Sequence, residues 1–123
     1  MRDLRYGIEI EMTGLSRGKA AETLAGFFGT RAEHTGGGYD AYAMRDAQGR
    51  VWKIVSDGSI QTQKKVRGQT VAADSTYSVE LVSPVCVYED IETIQEIVRA
   101  LRRNNALVND SCGIHVHVGA EKI

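Results

Sequence analysis

The chain has one proline in 123 residues, two cysteines, three histidines and no long apolar run. Each shortage excludes something. Cys86 and Cys112 are too few for a disulfide framework. They read as reduced thiols of a cytoplasmic protein, with a pairing between them as the alternative. No apolar stretch approaches the ~18 residues needed to span a bilayer, so no membrane partner is expected. The opening MRDLRYGIEIEM lacks the apolar core of a signal peptide. Neither charge sign dominates. Fifteen basic and sixteen acidic residues leave a formal charge of −1, so nothing draws the whole chain to nucleic acid. What remains is 42% apolar, enough for a core, at a length that suits a single domain over residues 1–123.

Periodicity then assigns elements. Leu4–Thr13 alternates as a strand, with Ile8, Ile10 and Met12 on one side and Glu9 and Glu11 on the other. Ser16 offers an N-cap and Gly29 a stop. Between them Ala20, Leu24, Phe27 and Phe28 form the stripe of a helix from about Arg17 to Phe28. Thr35 to Gly38 reads as a flexible joint. YDAYAMRD and RVWKIVSD form a hairpin around the turn Asp46–Gly49. Gln61–Ser75 is polar, lacks periodicity and reads as a mobile loop. In it, Lys64, Lys65 and Arg67 are a solvated cluster with phosphate contact as the alternative. TYSVELVSPV is another strand. YEDIETIQEIVRALRRNN is a helix with Ile91, Ile94, Ile97, Val98 and Leu101 on one face, acids at its start and arginines at its end. Gly113–Gly119 is the last strand. Hairpins mixed with amphipathic helices predict an α+β fold, a mainly antiparallel sheet with helices on one face.

The polar residues of these strands share a face. Side chains repeat every two residues, so Glu9 and Glu11 project together, and so do His115 and His117. Glu80 stands between Val79 and Leu81, which pack inward. Asp57 lies in the turn SDGS, where it can lean over the same face. Each pattern alone is common on solvated strands. Their convergence is what points to a site. Several carboxylates with an imidazole suit a hard divalent cation, Mg²⁺ or Mn²⁺. Zinc would draw on cysteines or a tighter histidine set, and that spacing does not occur here. Trp52 and the tyrosines read as core or rim, and Lys53 sits an even number of residues from Asp57, so it can share the face.

Four motifs in order, YGIEIEMTG, WKIVSDGSI, VELVSPV and CGIHVHVG, resemble the amidoligase family. That family is related to glutamine synthetase and glutamate–cysteine ligase. The resemblance implies a curved antiparallel sheet around a metal–ATP site, a glutamine-synthetase-like core. It implies an ATP-dependent carboxylate–amine ligase acting through an acyl phosphate, with ATP and Mg²⁺ or Mn²⁺ as cofactors. Glu9, Glu11, Asp57, Glu80 and His115 match the family's metal ligands, and Glu9, Glu11, Glu80 and His115 its catalytic set. His117, Lys53 and Ser59 are the expected nucleotide contacts. The substrates would be a small-molecule or peptide carboxylate and an amine. Family members also continue past the histidine strand. The chain is therefore expected to be the N-terminal portion of such an enzyme, its sheet completed by a C-terminal portion or by a second copy. Two other readings use the same residues: a metal-dependent phosphoester hydrolase, and a non-catalytic binding module.

Overall fold

The computed structural model describes residues 4–119. Eight strands and two helices follow the chain as β1 (Tyr6–Met12), α1 (Arg17–Phe28), β2 (Glu33–Gly36), β3 (Ala41–Arg45), β4 (Val51–Val55), β5 (Gln63–Val66), β6 (Gln69–Ala72), β7 (Val79–Val82), α2 (Ile91–Arg103) and β8 (Ile114–Val118). Six strands form one open antiparallel sheet in the order β2-β3-β4-β7-β1-β8, and β5 and β6 pair separately. This is the α+β architecture that the periodicity predicts. No helix among the described residues is long and apolar enough to cross a membrane.

Both helices cover one face. The strands turn Met12, Met44, Trp52, Ile54, Val79 and Leu81 toward them, and all six are buried. Leu24 of α1 and Ile97 and Leu101 of α2 complete the core, and the Phe28 ring lies 5.4 Å from that of Trp52. Burying each such side chain stabilises by ~1.5–3 kcal/mol. Ser16 Oγ accepts the Lys19 N–H at 3.1 Å to cap α1, and left-handed Gly29 closes it. Gly14 joins β1 to α1 with φ +92°. A Cβ there would stand 2.3 Å from the Asn105 carbonyl oxygen, so only glycine fits.

A second set of polar ties fastens the helix layer. Asp46, in the β3–β4 turn, accepts the Trp52 Nε1–H (2.9 Å) and the Arg50 Nε–H (3.0 Å). Arg50 reaches on to Asp90, just before α2, with two bonds of 2.9 and 3.0 Å. Asp46 and Asp90 are both buried.

Several expectations need correction. Thr35 to Gly38 is not a joint; its first part is the edge strand β2, whose register shifts between His34 and Gly36. Gln61–Ser75 is not a structureless loop. It holds the β5–β6 hairpin, which reverses at Arg67 and Gly68, both left-handed with φ of 53° and 80°. Consecutive left-handed residues are the geometry of a two-residue hairpin turn. Phe27 and Ile91, assigned to apolar stripes, are exposed. Cys86 and Cys112 are both free, Cys86 fully buried and Cys112 partly so.

Candidate functional site

The face away from the helices carries the polar residues. Its layout follows from register. Glu11 lies directly opposite Glu80 across β1 and β7, and Glu80 lies opposite Val55 across β7 and β4. Asp57 is two residues past Val55 and so returns to the same side. On the other flank, Glu9 faces His115, and Gly7 faces His117. Lys53 shares the row of Glu9, with Val82 between them.

The side chains divide into two groups. Glu11, Asp57 and Glu80 bring carboxylate oxygens within 4.8 Å of one another. Glu9 stands instead with the histidines: its Oε1 is 3.7 Å from His115 Nδ1 and 3.5 Å from His117 Nε2. His115 links the groups. A Cβ on Gly113 would sit 3.5 Å from His115 Nε2 and 3.7 Å from Glu11 Oε1, so the bare glycine leaves the space between them open. Ser59 spends its hydroxyl on Asp57.

The three acids are held from behind. The Gly113 N–H donates to Glu11 Oε1 at 2.8 Å. Asp57 Oδ1 accepts the Ser59 N–H at 2.9 Å and its hydroxyl at 2.8 Å. The Asp57 backbone is clipped by one side chain. Its N–H donates to Ser78 Oγ at 2.8 Å, and that hydroxyl donates to the Asp57 carbonyl at 2.7 Å. Buried Arg17 in turn donates to the Ser78 carbonyl at 2.9 Å and, through Nε and Nη2, to Asp40. Sequence reasoning missed Ser78, Arg17 and Gly113. A lone serine 21 positions from Asp57 gives no signal, whereas Gly113 was visible as the glycine that opens the histidine motif.

These contacts separate the acids electrostatically. The Ser59 N–H, then its hydroxyl, hold the Asp57 carboxyl down at about 2. Burial, then hydrogen bonding to Asp57 and the charges of Glu9, Asp57 and Glu11, push Glu80 up to about 7. Glu11 is raised by burial and by Asp57, against the pull of the Gly113 N–H. Asp57 is thus the ionised member, and Glu80, pushed up to about 7, is the one that holds its proton most readily. Two full charges at such separations would repel by about 4 kcal/mol. An all-oxygen donor set that needs positive charge fits a hard divalent cation.

An antiparallel sheet backed by helices, with clustered acids and paired histidines on its bare face, defines the class: an α+β domain with an acidic and imidazole-bearing open face. The family described as putative amidoligase enzyme matches residues 2–123, and the chain belongs to it. Membership places it among ligase-type enzymes. No curated protein and no solved structure matches the chain.

Proposed function

We propose that the chain carries the cation- and nucleotide-binding face of an ATP-dependent carboxylate–amine ligase. The observation that carries this reading is the approach of Glu11, Asp57 and Glu80 within 4.8 Å, crowding that pushes Glu80 up to about 7. The reaction transfers the γ-phosphoryl group of ATP to a substrate carboxylate, giving ADP and an acyl phosphate. An amine attacks the acyl carbon and phosphate leaves, so the amide forms. Mg²⁺ or Mn²⁺, when bound, supplies charge neutralisation for the phosphoryl oxygens.

Glu11, Asp57 and Glu80 would hold the cation, with His115 completing the set from the adjoining strand. Asp57 is ionised beforehand and fixed by Ser59 and Ser78, so it needs least reorganisation. Glu9 Oε1, 3.7 Å from His115 and 3.5 Å from His117, would favour both imidazoles on this face. His117 and Lys53 lie on the same face and would meet phosphate oxygens. Ser59 acts through Asp57, a change from its expected direct contact with nucleotide.

Calorimetric titration with Mn²⁺, then with ATP in its presence, tests the reading. Saturable Mn²⁺ binding that E11Q and D57N weaken at least tenfold is expected. ADP release should require both a carboxylate and an amine. Unchanged metal and nucleotide binding in those variants and in H115A would reject it. Phosphate released from an ester without ATP would favour a hydrolase instead.

A further inference from the structure

Asp57 and Ser78 stand at the end of a ladder that stops short of them. Strands β4 and β7 pair Lys53 with Val82 and Val55 with Glu80. Two residues further on, the same register sets Asp57 opposite Ser78. The Ser83 N–H donates to the Ile8 carbonyl at 3.0 Å, so odd-numbered residues along β7 bond to β1 and even-numbered ones to β4. By that alternation the N–H and C=O of Ser78 should exchange bonds with those of Asp57. They are engaged elsewhere. The Ser78 N–H donates to the Ser75 carbonyl at 3.1 Å, and the Ser78 carbonyl accepts from Arg17 Nη1 at 2.9 Å. Both backbone groups of Asp57 turn instead to one hydroxyl: the N–H donates to Ser78 Oγ at 2.8 Å, and that hydroxyl donates to the Asp57 carbonyl at 2.7 Å. A side chain stands where two main-chain bonds would form, and it holds the two strands apart.

Arg17 fixes this arrangement from behind. It opens α1 and is buried although charged. Its Nη1 bridges the Ser75 and Ser78 carbonyls at 2.6 and 2.9 Å, so it spans the short turn Ser75–Tyr77. Its Nε and Nη2 clamp Asp40 Oδ2 at 3.0 and 2.9 Å. A planar fork held from two directions has one orientation, which a lysine or an apolar side chain would not reproduce. Asp40 is itself anchored beside the site, because the preceding Tyr39 carbonyl accepts the N–H of Ser56, the residue before Asp57, at 2.9 Å. Packing alone does not call for this residue. Burying a guanidinium is costly, and an apolar side chain would fill the same space.

We propose that Arg17 is a positioning residue for the cation site: it engages the Ser78 carbonyl, keeps the β4–β7 ladder open at Asp57, and so leaves the Ser78 hydroxyl to set where the Asp57 carboxylate stands. The inference rests on the reading that Glu11, Asp57 and Glu80 hold a cation. Without Arg17 the Ser78 carbonyl is free to accept the Asp57 N–H directly. The strands then close by one more pair, and the Asp57 carboxylate leaves its place beside Glu11 and Glu80. Groups that orient a metal ligand without touching the metal are commonly worth about 10–100-fold in affinity.

Two measurements on the whole chain test this: Mn²⁺ titration well below the melting temperature, and a crystal structure of the metal-free variant. R17M leaves Asp40 to water, since that side chain is 42% exposed. Mn²⁺ affinity should fall by about tenfold or more. The metal-free crystal should show the Asp57 N–H bonded to the Ser78 carbonyl and the Asp57 carboxylate displaced. R17K keeps a cationic donor for the Ser78 carbonyl and should recover most of the affinity. A lower melting temperature in R17M with Asp57 still clipped by the Ser78 hydroxyl and Mn²⁺ affinity unaltered overturns the proposal, because Arg17 then serves folding alone. Should R17M fail to fold, S78A is measured in its place. It removes the hydroxyl and keeps Arg17, and an unmoved Asp57 carboxylate with unaltered affinity overturns the proposal equally. Absence of Mn²⁺ binding by the unmodified chain would defeat the cation reading instead, and the position of Asp57 in the metal-free variant would still decide what Arg17 does.

Discussion

Two groups of acids sit on opposite faces of one sheet, and they solve the cost of burial differently. On the helix side Asp46 and Asp90 are buried, but Arg50 stands between them and Trp52 donates a further hydrogen bond. Both carboxyls are held below their ordinary range, Asp90 chiefly by Arg50. On the bare side Glu11, Asp57 and Glu80 crowd together with no arginine or lysine bonded to them among the described residues, and two of the three are pushed up. The first group is complete in itself and ties α2 to the β3–β4 turn. The second is left short of positive charge, which is what a ligand can bring. The difference separates acids that carry their own counter-charge from acids that fit the proposed cation site.

The sharpest way to break the comparison is to remove the cation that the helix side has. R50M should destabilise the protein by about 3–5 kcal/mol, because it strands two buried carboxylates. Urea unfolding measures this. A loss below about 1 kcal/mol would mean that the pair is as loosely held as a surface salt bridge.

The reverse experiment removes an acid from the bare side. E80Q takes away a repelling carboxyl and keeps a donor for Asp57. Without divalent metal at pH 8 it should raise stability by roughly 1 kcal/mol. Mn²⁺ affinity should fall at least tenfold, about 1.4 kcal/mol. A variant both less stable and unaltered in metal binding would erase the distinction between the faces.

The two groups were unequally legible in the sequence. Alternation in YGIEIEM put Glu9 and Glu11 on one side, and the Ser16 cap and Gly29 stop gave α1 its observed bounds, because both signals are local. The β5–β6 hairpin was hidden because QKKV and QTVA bury almost nothing and so carry no pattern, while its turn uses Arg67 where asparagine or glycine would signal it. Strand order was also out of reach. Alternation says that Glu9 and Glu11 share a face, but the register Glu11–Glu80 and Glu9–His115 decides that they join different groups. Asp46 read as turn chemistry, and nothing local in the sequence joins Arg50 to Asp90 across 40 residues.

Acidity should pull the faces apart. Asp46 and Asp90 have lowered folded values, so their contribution is present above the unfolded value of ~3.9 and is lost as pH falls through the folded ones. Glu80 has the opposite sign. Its folded value is about 7 against an ordinary 4.5, so its contribution is full below 4.5 and is lost as pH rises through about 7. Melting temperature without metal should therefore decline from pH 5 to 7.5, and E80Q should flatten that decline. D90N should leave that window alone and flatten the acid limb instead. Mn²⁺ should reverse the first slope, since the cation displaces the protons and binds better as pH rises.

The smallest effect falls on the one acid that needs no help. Asp57 is ionised because Ser59 donates to Oδ1 twice, from its N–H and from its hydroxyl. S59A removes the hydroxyl and keeps the N–H, and the Ser78 clip on the Asp57 backbone is untouched. Folding stability should drop by about 0.5–1 kcal/mol, the net worth of one hydrogen bond. Metal affinity should fall only a few-fold, because Asp57 is held less firmly, while the pH midpoint that Glu80 sets near 7 stays in place. S59T, which retains a hydroxyl, should restore both. A tenfold loss of ATP affinity at saturating metal in S59A, with Mn²⁺ binding intact, would instead return Ser59 to direct contact with the nucleotide.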